Sequence, residues 1–210
     1  MHKIFLILIL ITGYVVKAQY PGYTTLTDVA KFKTDFANAT QKTTTIKSNF
    51  VQEKELSMLA EKIVSKGMFW FKKNNMVRME YTQPFKYLMI LNNDRVYVKD
   101  AQKETKVSAG SNRLFRQINN IMIDCMQGTT LNNTDFKTRI FENKTTYLVE
   151  LVPVVKGLKE LLKHINVVVD KKDYSVNSIE MLELSGDNTV IRFVNKELNA
   201  NIQDALFTIK

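Results

Sequence analysis

The sequence predicts an α+β fold that is mainly β: a curved antiparallel sheet of about ten or eleven strands with a few helices lying across its concave face. Three observations predict it. Apolar and polar residues alternate in segments of roughly six to nine residues. Asn-, Asp- and Gly-containing breaks of hairpin type separate those segments. One strongly amphipathic segment with helical spacing interrupts them near the middle. Connections this short join antiparallel neighbours and leave no room for the helical crossovers that parallel strands need.

Thr27 to Ala39 places Val29, Phe32, Phe36 and Ala39 on one helical stripe, with Thr27 positioned to cap it. From Thr43 the period changes to two. Ile46, Ser48, Phe50 and Gln52 fall on one side of a strand and Lys47, Asn49, Val51 and Glu53 on the other, with Phe50 as its apolar anchor. Further strands are predicted at Ile63 to Phe71, Met76 to Tyr81, Tyr87 to Leu91, Arg95 to Lys99, Phe136 to Glu142, Thr146 to Val152, His164 to Asp170, Val176 to Leu184 and Thr189 to Asn195. Between the strands at Arg95 to Lys99 and Phe136 to Glu142, Asn112 to Met126 carries Leu114, Ile118, Ile121 and Cys125 at helical spacing, with Phe115 and Met122 beside them and Gly128 as a stop. Gly157 to Lys163 reads as a shorter helical turn after Pro153. Alternation also assigns faces: Val77, Met79 and Tyr81 should point inward while Arg78 and Glu80 point outward.

The start of the chain has the layout of a secretory signal: Lys3, an apolar run from Ile4 to Ile11, and Val16 and Ala18 placing cleavage before Gln19. The run is shorter than the ~20 residues that span a bilayer. The expected organisation is therefore a signal peptide over 1–18 and one exported domain over 19–210. Cleavage removes Lys3 and Lys17 and leaves a net charge of +7, but the basic residues are scattered and export argues against a nucleic-acid partner. Cys125 is the only cysteine, so no intrachain disulfide can form and a core must supply the stability.

Catalysis finds little to work with. His164 begins a strand at the rim, Cys125 lies on an apolar stripe, and there is no metal-ligand cluster, phosphate loop or nucleophile elbow. No catalytic residue, metal or cofactor is expected, and the reading is a binding protein rather than an enzyme. What is abundant is adaptable apolar surface: Met58, Met68, Met76, Met79, Met89, Met122, Met126 and Met181, with Phe50, Phe69, Trp70, Phe71, Phe85 and Phe115. A cavity lined by Met and Phe suits flexible acyl chains.

Three ordered strings resemble the periplasmic outer-membrane lipoprotein carrier family, LolA: Ile46-Lys47-Ser48-Asn49-Phe50-Val51-Gln52, Gly67-Met68-Phe69-Trp70-Phe71-Lys72-Lys73 and Val77-Arg78-Met79-Glu80-Tyr81-Thr82-Gln83-Pro84. Leu151-Val152-Pro153, Asp187-Asn188-Thr189, Ile191-Arg192-Phe193-Val194-Asn195, Asn199 and Phe207 extend the likeness to the end. The resemblance implies an incomplete antiparallel barrel with a helical lid over an apolar cavity that takes lipoprotein acyl chains. It also implies a monomeric periplasmic carrier, loaded by an inner-membrane lipoprotein-releasing transporter and unloaded to an outer-membrane acceptor. Phe50, Phe69, Phe71, Val77, Met79 and Tyr81 from the sheet and Leu114, Phe115, Ile118, Ile121 and Met122 from the helix are then the acyl-binding candidates. Members of the family carry Arg-Pro where this chain has Lys73-Asn74, and that Arg latches the lid. Lys73 takes its place as a point charge rather than a planar fork. Arg78, on the outward side, is read as a surface feature.

Overall fold

The computed structural model describes residues 20–59, 61–93, 95–100, 104–108 and 113–209, with the side chains of 104–108 and 113–119 left undescribed. The signal-peptide expectation for 1–18 and the side chains of Leu114, Phe115 and Ile118 therefore lie outside the described residues.

The elements run β1 (Thr24–Thr25), α1 (Val29–Lys42), β2 (Thr45–Leu56), β3 (Glu61–Lys72), β4 (Met76–Gln83), β5 (Tyr87–Asn92), β6 (Arg95–Lys99), β7 (Glu104–Ser108) and α2 (Arg113–Gln127). They continue with β8 (Phe136–Glu142), β9 (Thr146–Pro153), α3 (Lys156–Lys159), β10 (Leu162–Asp170), β11 (Val176–Glu183) and β12 (Asn188–Leu198), and end in a short 3-10 turn at Asp204–Phe207. All strands join one antiparallel sheet in the order β1-β8-β9-β10-β11-β12-β2-β3-β4-β5-β6-β7. The sheet is curved, and it is open because among the described residues its two edges, β1 and β7, do not pair. Eleven of its described strands are five residues or longer and β1 has only two.

Predicted and observed elements coincide closely, with two corrections at the helices and two strands added. Asp28, not Thr27, caps α1: its side chain accepts from the Lys31 amide at 2.9 Å. The predicted turn at Gly157 to Lys163 forms earlier, as α3, because Leu162 and Lys163 already belong to β10. The added strands are β1 and β7. Asn supplies the left-handed backbone of several tight turns, at Asn74 (φ 70°), Asn75 (φ 57°) and Asn93 (φ 54°).

The sheet is apolar on both faces, each for its own reason. On the face covered by helices, Phe32 and Phe36 of α1 and Ile121, Met122, Cys125 and Met126 of α2 pack onto Phe50, Phe69, Phe71, Val77, Met79 and their neighbours across the sheet. On the other face a smaller cluster of Trp70, Ile90, Ile202 and Phe207 forms where the chain's end lies across β3 to β5. Three side chains fasten that end by donating to its carbonyls: Lys72 to Ile202, Arg78 to Leu206 and Asn92 to Phe207. Arg78 is thus outward-facing, as alternation requires, but it is not a free surface residue. Its guanidinium lies 5.6 Å from the centre of the Trp70 ring and donates to Glu80 at 2.7 Å.

The outer face also buries a carboxylate. Glu150 is 1% exposed between the core residues Val149 and Leu151 and accepts from the Tyr20 hydroxyl at 2.6 Å and from Arg139 Nε. Arg139, Glu150, Asn166 and Glu180 are directly paired across β8 to β11, so one row of polar side chains crosses four strands. Such a row is tolerated because its members satisfy one another.

Candidate functional site

The elements that build a pocket are β2, β4, β5, β10, β11 and β12 beneath α2. Met79 and Tyr81 of β4 stand opposite Met89 and Tyr87 of β5. Ile179 and Met181 of β11 and Ile191 of β12 rise from the other side, and Ile121 and Met122 of α2 close the top. They enclose an apolar cavity of about 240 Å³, lined also by Gln52, Lys54, Leu162, Glu183 and Thr189, of which the part-exposed Lys54 and Glu183 mark its mouth. Register places that mouth at the end of the sheet where β2 turns into β3 and β11 into β12.

Of the predicted site residues, Met79, Tyr81, Ile121 and Met122 line this cavity. Phe50, Phe69, Phe71 and Val77 share its face but lie beneath the lining, all at most 1% exposed, as packed core. Met89 and Met181 come from the methionine supply that the sequence offers, whereas Tyr87, Leu162, Ile179 and Ile191 are not among the residues the sequence singles out. The alternation in β5, β11 and β12 carries the needed signal once one face of each strand is known. Other members of the Met and Phe supply belong elsewhere. Trp70, Met68 and Met76 pack on the outer face, and Phe85 and Met58 stand exposed at turns.

Tyr81 is the polar handle of the pocket. Its hydroxyl donates to Gln52 Oε1 at 2.9 Å while its ring packs edge-on against Phe50 and Tyr87, at 4.8 Å and 5.3 Å between centres. Burial, and then the neighbouring Tyr87, raises its pKa above the ordinary phenol range, so it stays neutral at any physiological pH. At the mouth Lys54 and Glu183 face one another at 3.9 Å.

The amphipathic α2 separates this apolar cavity from an open polar cleft of about 500 Å³ lined by Asn75, Asn120, Asp124, Gln127, Asn133 and others. Its C-terminal end is pinned twice. Gln127 Nε2 donates to Asn75 Oδ1 at 2.9 Å, and Gly128, at φ 76°, presses so close to α1 that a Cβ there would sit 2.3 Å from Thr40 Oγ1. Lys73, the candidate latch, instead donates from its ammonium to the Gln41 carbonyl at the end of α1. Among the described residues, Asn75, two residues later, contacts α2 through Gln127.

Cys125 is 1% exposed on the inner stripe of α2, and burial pushes its thiol up to about 12 from an ordinary 9. Native protein should therefore resist iodoacetamide at about pH 8 and react only as α2 opens or the chain unfolds, which mass spectrometry of the alkylated protein would read. The same shift sets a pH dependence. Above about 9 the unfolded thiol loses its proton while the folded one keeps it, so this group's contribution is intact below that pH and declines towards 12. Rapid alkylation of the native protein would contradict the burial.

Among the described residues no group of three or more His, Cys, Asp or Glu is placed to hold a metal, and no helix is long and apolar enough to cross a membrane. No curated protein matches the sequence. Among solved structures, the MucA/MucB complex from Pseudomonas aeruginosa superposes with a TM-score of 0.52 at 11% identity, over 87% of this chain and 61% of that one. An uncharacterized conserved protein from Thermus thermophilus gives 0.51 at 9%, over 86% and 94%. A LolA superfamily protein from Nitrosomonas europaea gives 0.47 at 10%, over 89% and 98%. At these identities the first two speak for the fold alone. The sequence profile described as Outer membrane lipoprotein carrier protein LolA matches residues 41–210, most of the length, and the chain belongs to that family.

Proposed function

We propose that this protein is a periplasmic carrier that takes the acyl chains of lipoproteins into the cavity beneath α2 and ferries them from the inner to the outer membrane. The observation that carries the reading is the cavity itself: closed by a helix, walled by Met79, Met89, Met122 and Met181, and held over a sheet whose other residues are tightly packed. Methionine lining yields to chains of varied shape. Membership of the LolA family supports the cargo. Export, loading by an inner-membrane lipoprotein-releasing transporter and delivery to an outer-membrane acceptor belong to the same proposal.

The energetics suit a carrier. Burying a methylene contributes about 0.8 kcal/mol, so shielding ten of them contributes about 8 kcal/mol, enough to hold a chain in water yet reversible at a membrane. The volume adds a requirement. At about 240 Å³ the cavity falls below the ~300–1,000 Å³ of ordinary ligand sites, so α2 must move to admit a full acyl chain. Among the described residues, its attachments at Gly128 and Gln127 hold its C-terminal end.

Native mass spectrometry of protein purified from its own periplasm tests the reading. A co-purifying lipopeptide or diacyl species is the expected result. Consistently empty protein that also fails to take up a fluorescent fatty acid would overturn it. A second reading is a lipid- or lipoprotein-binding sensor of the same fold. In that case the bound lipid would not leave for acceptor vesicles. A carrier of another lipid would show itself in the mass of the bound species.

A further inference from the structure

Nine large hydrophobic residues stand exposed among the described residues, and eight of them lie at the end of the sheet that holds the cavity mouth. Val194, on β12, is the exception. The opposite end turns through Asn74-Asn75, Asn143-Lys144 and Lys171-Lys172, which are polar. Surface apolar residues scattered singly need no explanation, but their concentration at one end does.

The most prominent feature of that end is the β2–β3 hairpin. β3 pairs with β2 from Glu61 onward, whereas its pairing with β4 begins only at Lys66. Five residues of β3 therefore overhang β4, a projection of roughly 17 Å at ~3.4 Å per residue. This overhang leaves Ile63 and Val64 exposed, and at its tip Met58 is 94% and Leu59 62% exposed. The tip is braced. The Ser57 amide donates to Asp187 Oδ1 at 2.9 Å and its hydroxyl to the Ser185 carbonyl at 3.1 Å, which ties the hairpin to the β11–β12 turn carrying the exposed Leu184. Residues 56–60 are uncharged. Several charges just below the tip pair within the fold, Lys62 with Glu53 and Glu55 and Lys54 with Glu183, while Glu61 stands exposed beside it.

We propose that this hairpin tip, with Leu184 and the exposed Phe85 beside the same mouth, inserts into the interfacial region of a lipid bilayer and docks the cavity mouth against it. The occupant follows from the shape and the charge. A protein partner needs a contiguous face of about 800 Å². Separate turns at different heights offer single anchors, which a fluid interface can surround. An uncharged tip whose neighbouring ions are in good part paired with one another gains more from apolar burial than from headgroup charge. The inference rests on the carrier reading for its purpose, since a docked mouth would pass an acyl chain without exposing it to water. Its test does not depend on that reading.

The test uses the mature protein and vesicles of phosphatidylethanolamine and phosphatidylglycerol, with flotation as the binding readout. The wild type should float with the vesicles, and equally at high salt. Met58→Asp with Leu59→Asp should bind about a hundredfold more weakly, each lost anchor being worth about a factor of ten. Met58→Ser with Leu59→Ser, which adds no charge, should also lose binding, and Met58→Leu should keep it. Fluorescent fatty-acid uptake in solution should be the same in all of them. Absence of flotation by the wild type, flotation abolished by salt, or flotation of both double variants equal to that of the wild type would each overturn the proposal. Transfer that occurs only to a protein acceptor, with no flotation, does so in favour of a protein partner. Loss of fatty-acid uptake by the wild type would instead count against the carrier reading and leave the flotation result to decide this one.

Discussion

Gly67→Ala should destabilise the protein by about 3 kcal/mol or more, the largest effect expected of an alanine at Gly22, Gly67, Gly128 or Gly186. A Cβ at Gly67 would lie 2.1 Å from the Glu80 carbonyl oxygen and 2.9 Å from its carbon, both backbone atoms of β4, and 2.8 Å from Phe50 Cε1. No rotamer relieves a clash with backbone. Phe50 cannot retreat either, because it is 1% exposed and packs edge-on against Tyr81. β3 and β4 would have to separate at the register shift already present between Lys66 and Gly67, with loss of ladder hydrogen bonds and of the Tyr81–Gln52 contact beside the cavity. Urea unfolding followed by the fluorescence of Trp70 measures the loss. Gly22→Ala is the comparison, since a Cβ there meets nothing within 4 Å and only its φ of 80° is strained. A Gly67→Ala protein no less stable than Gly22→Ala would mean that the sheet opens at this point without cost.

Alternation makes most of this fold legible. Each long strand except β7 is predicted to within a few residues, because one face of each is core and the period of two is strict. β7 escapes because Glu-Thr-Lys-Val-Ser offers a single apolar residue, and β1 because two threonines carry no period. The predicted α2 lies within one residue of the observed helix at either end, since its stripe is wide and Gly128 stops it. The cavity is harder to locate. Met68 and Trp70 alternate with Phe69 and Phe71, so β3 is apolar on both sides and periodicity cannot say which side meets the helices. The answer depends on the chain's end, where Phe207 is fully buried without any repeating pattern around it. Glu150 is invisible for a related reason. A carboxylate between Val149 and Leu151 looks exposed until Tyr20, 130 residues earlier, is seen to cover it.

Met79→Glu should weaken binding of a fluorescent fatty acid by about a hundredfold or more at about pH 8, because it sets a carboxylate into the wall that an acyl chain would touch. Met79 is 3% exposed and stands opposite Met89, with Tyr81, Tyr87, Met122 and Met181 also on the lining and the Lys54–Glu183 pair only at the mouth. A charge there has little water, and Lys54, the described cation on the lining, already faces Glu183. Its pKa should therefore rise, and lowering the pH through that raised value should restore part of the binding as the carboxyl becomes neutral. Met79→Leu should bind nearly as the wild type does, and Met79→Gln should be intermediate and independent of pH. A change on the outer face separates the two sides of β4. Arg78→Gln loosens the clamp on the chain's end and should cost stability while leaving uptake alone. Circular dichroism must first establish that Met79→Glu is folded. A folded Met79→Glu protein that takes up the probe with wild-type affinity at about pH 8 would put the acyl chain somewhere other than this cavity.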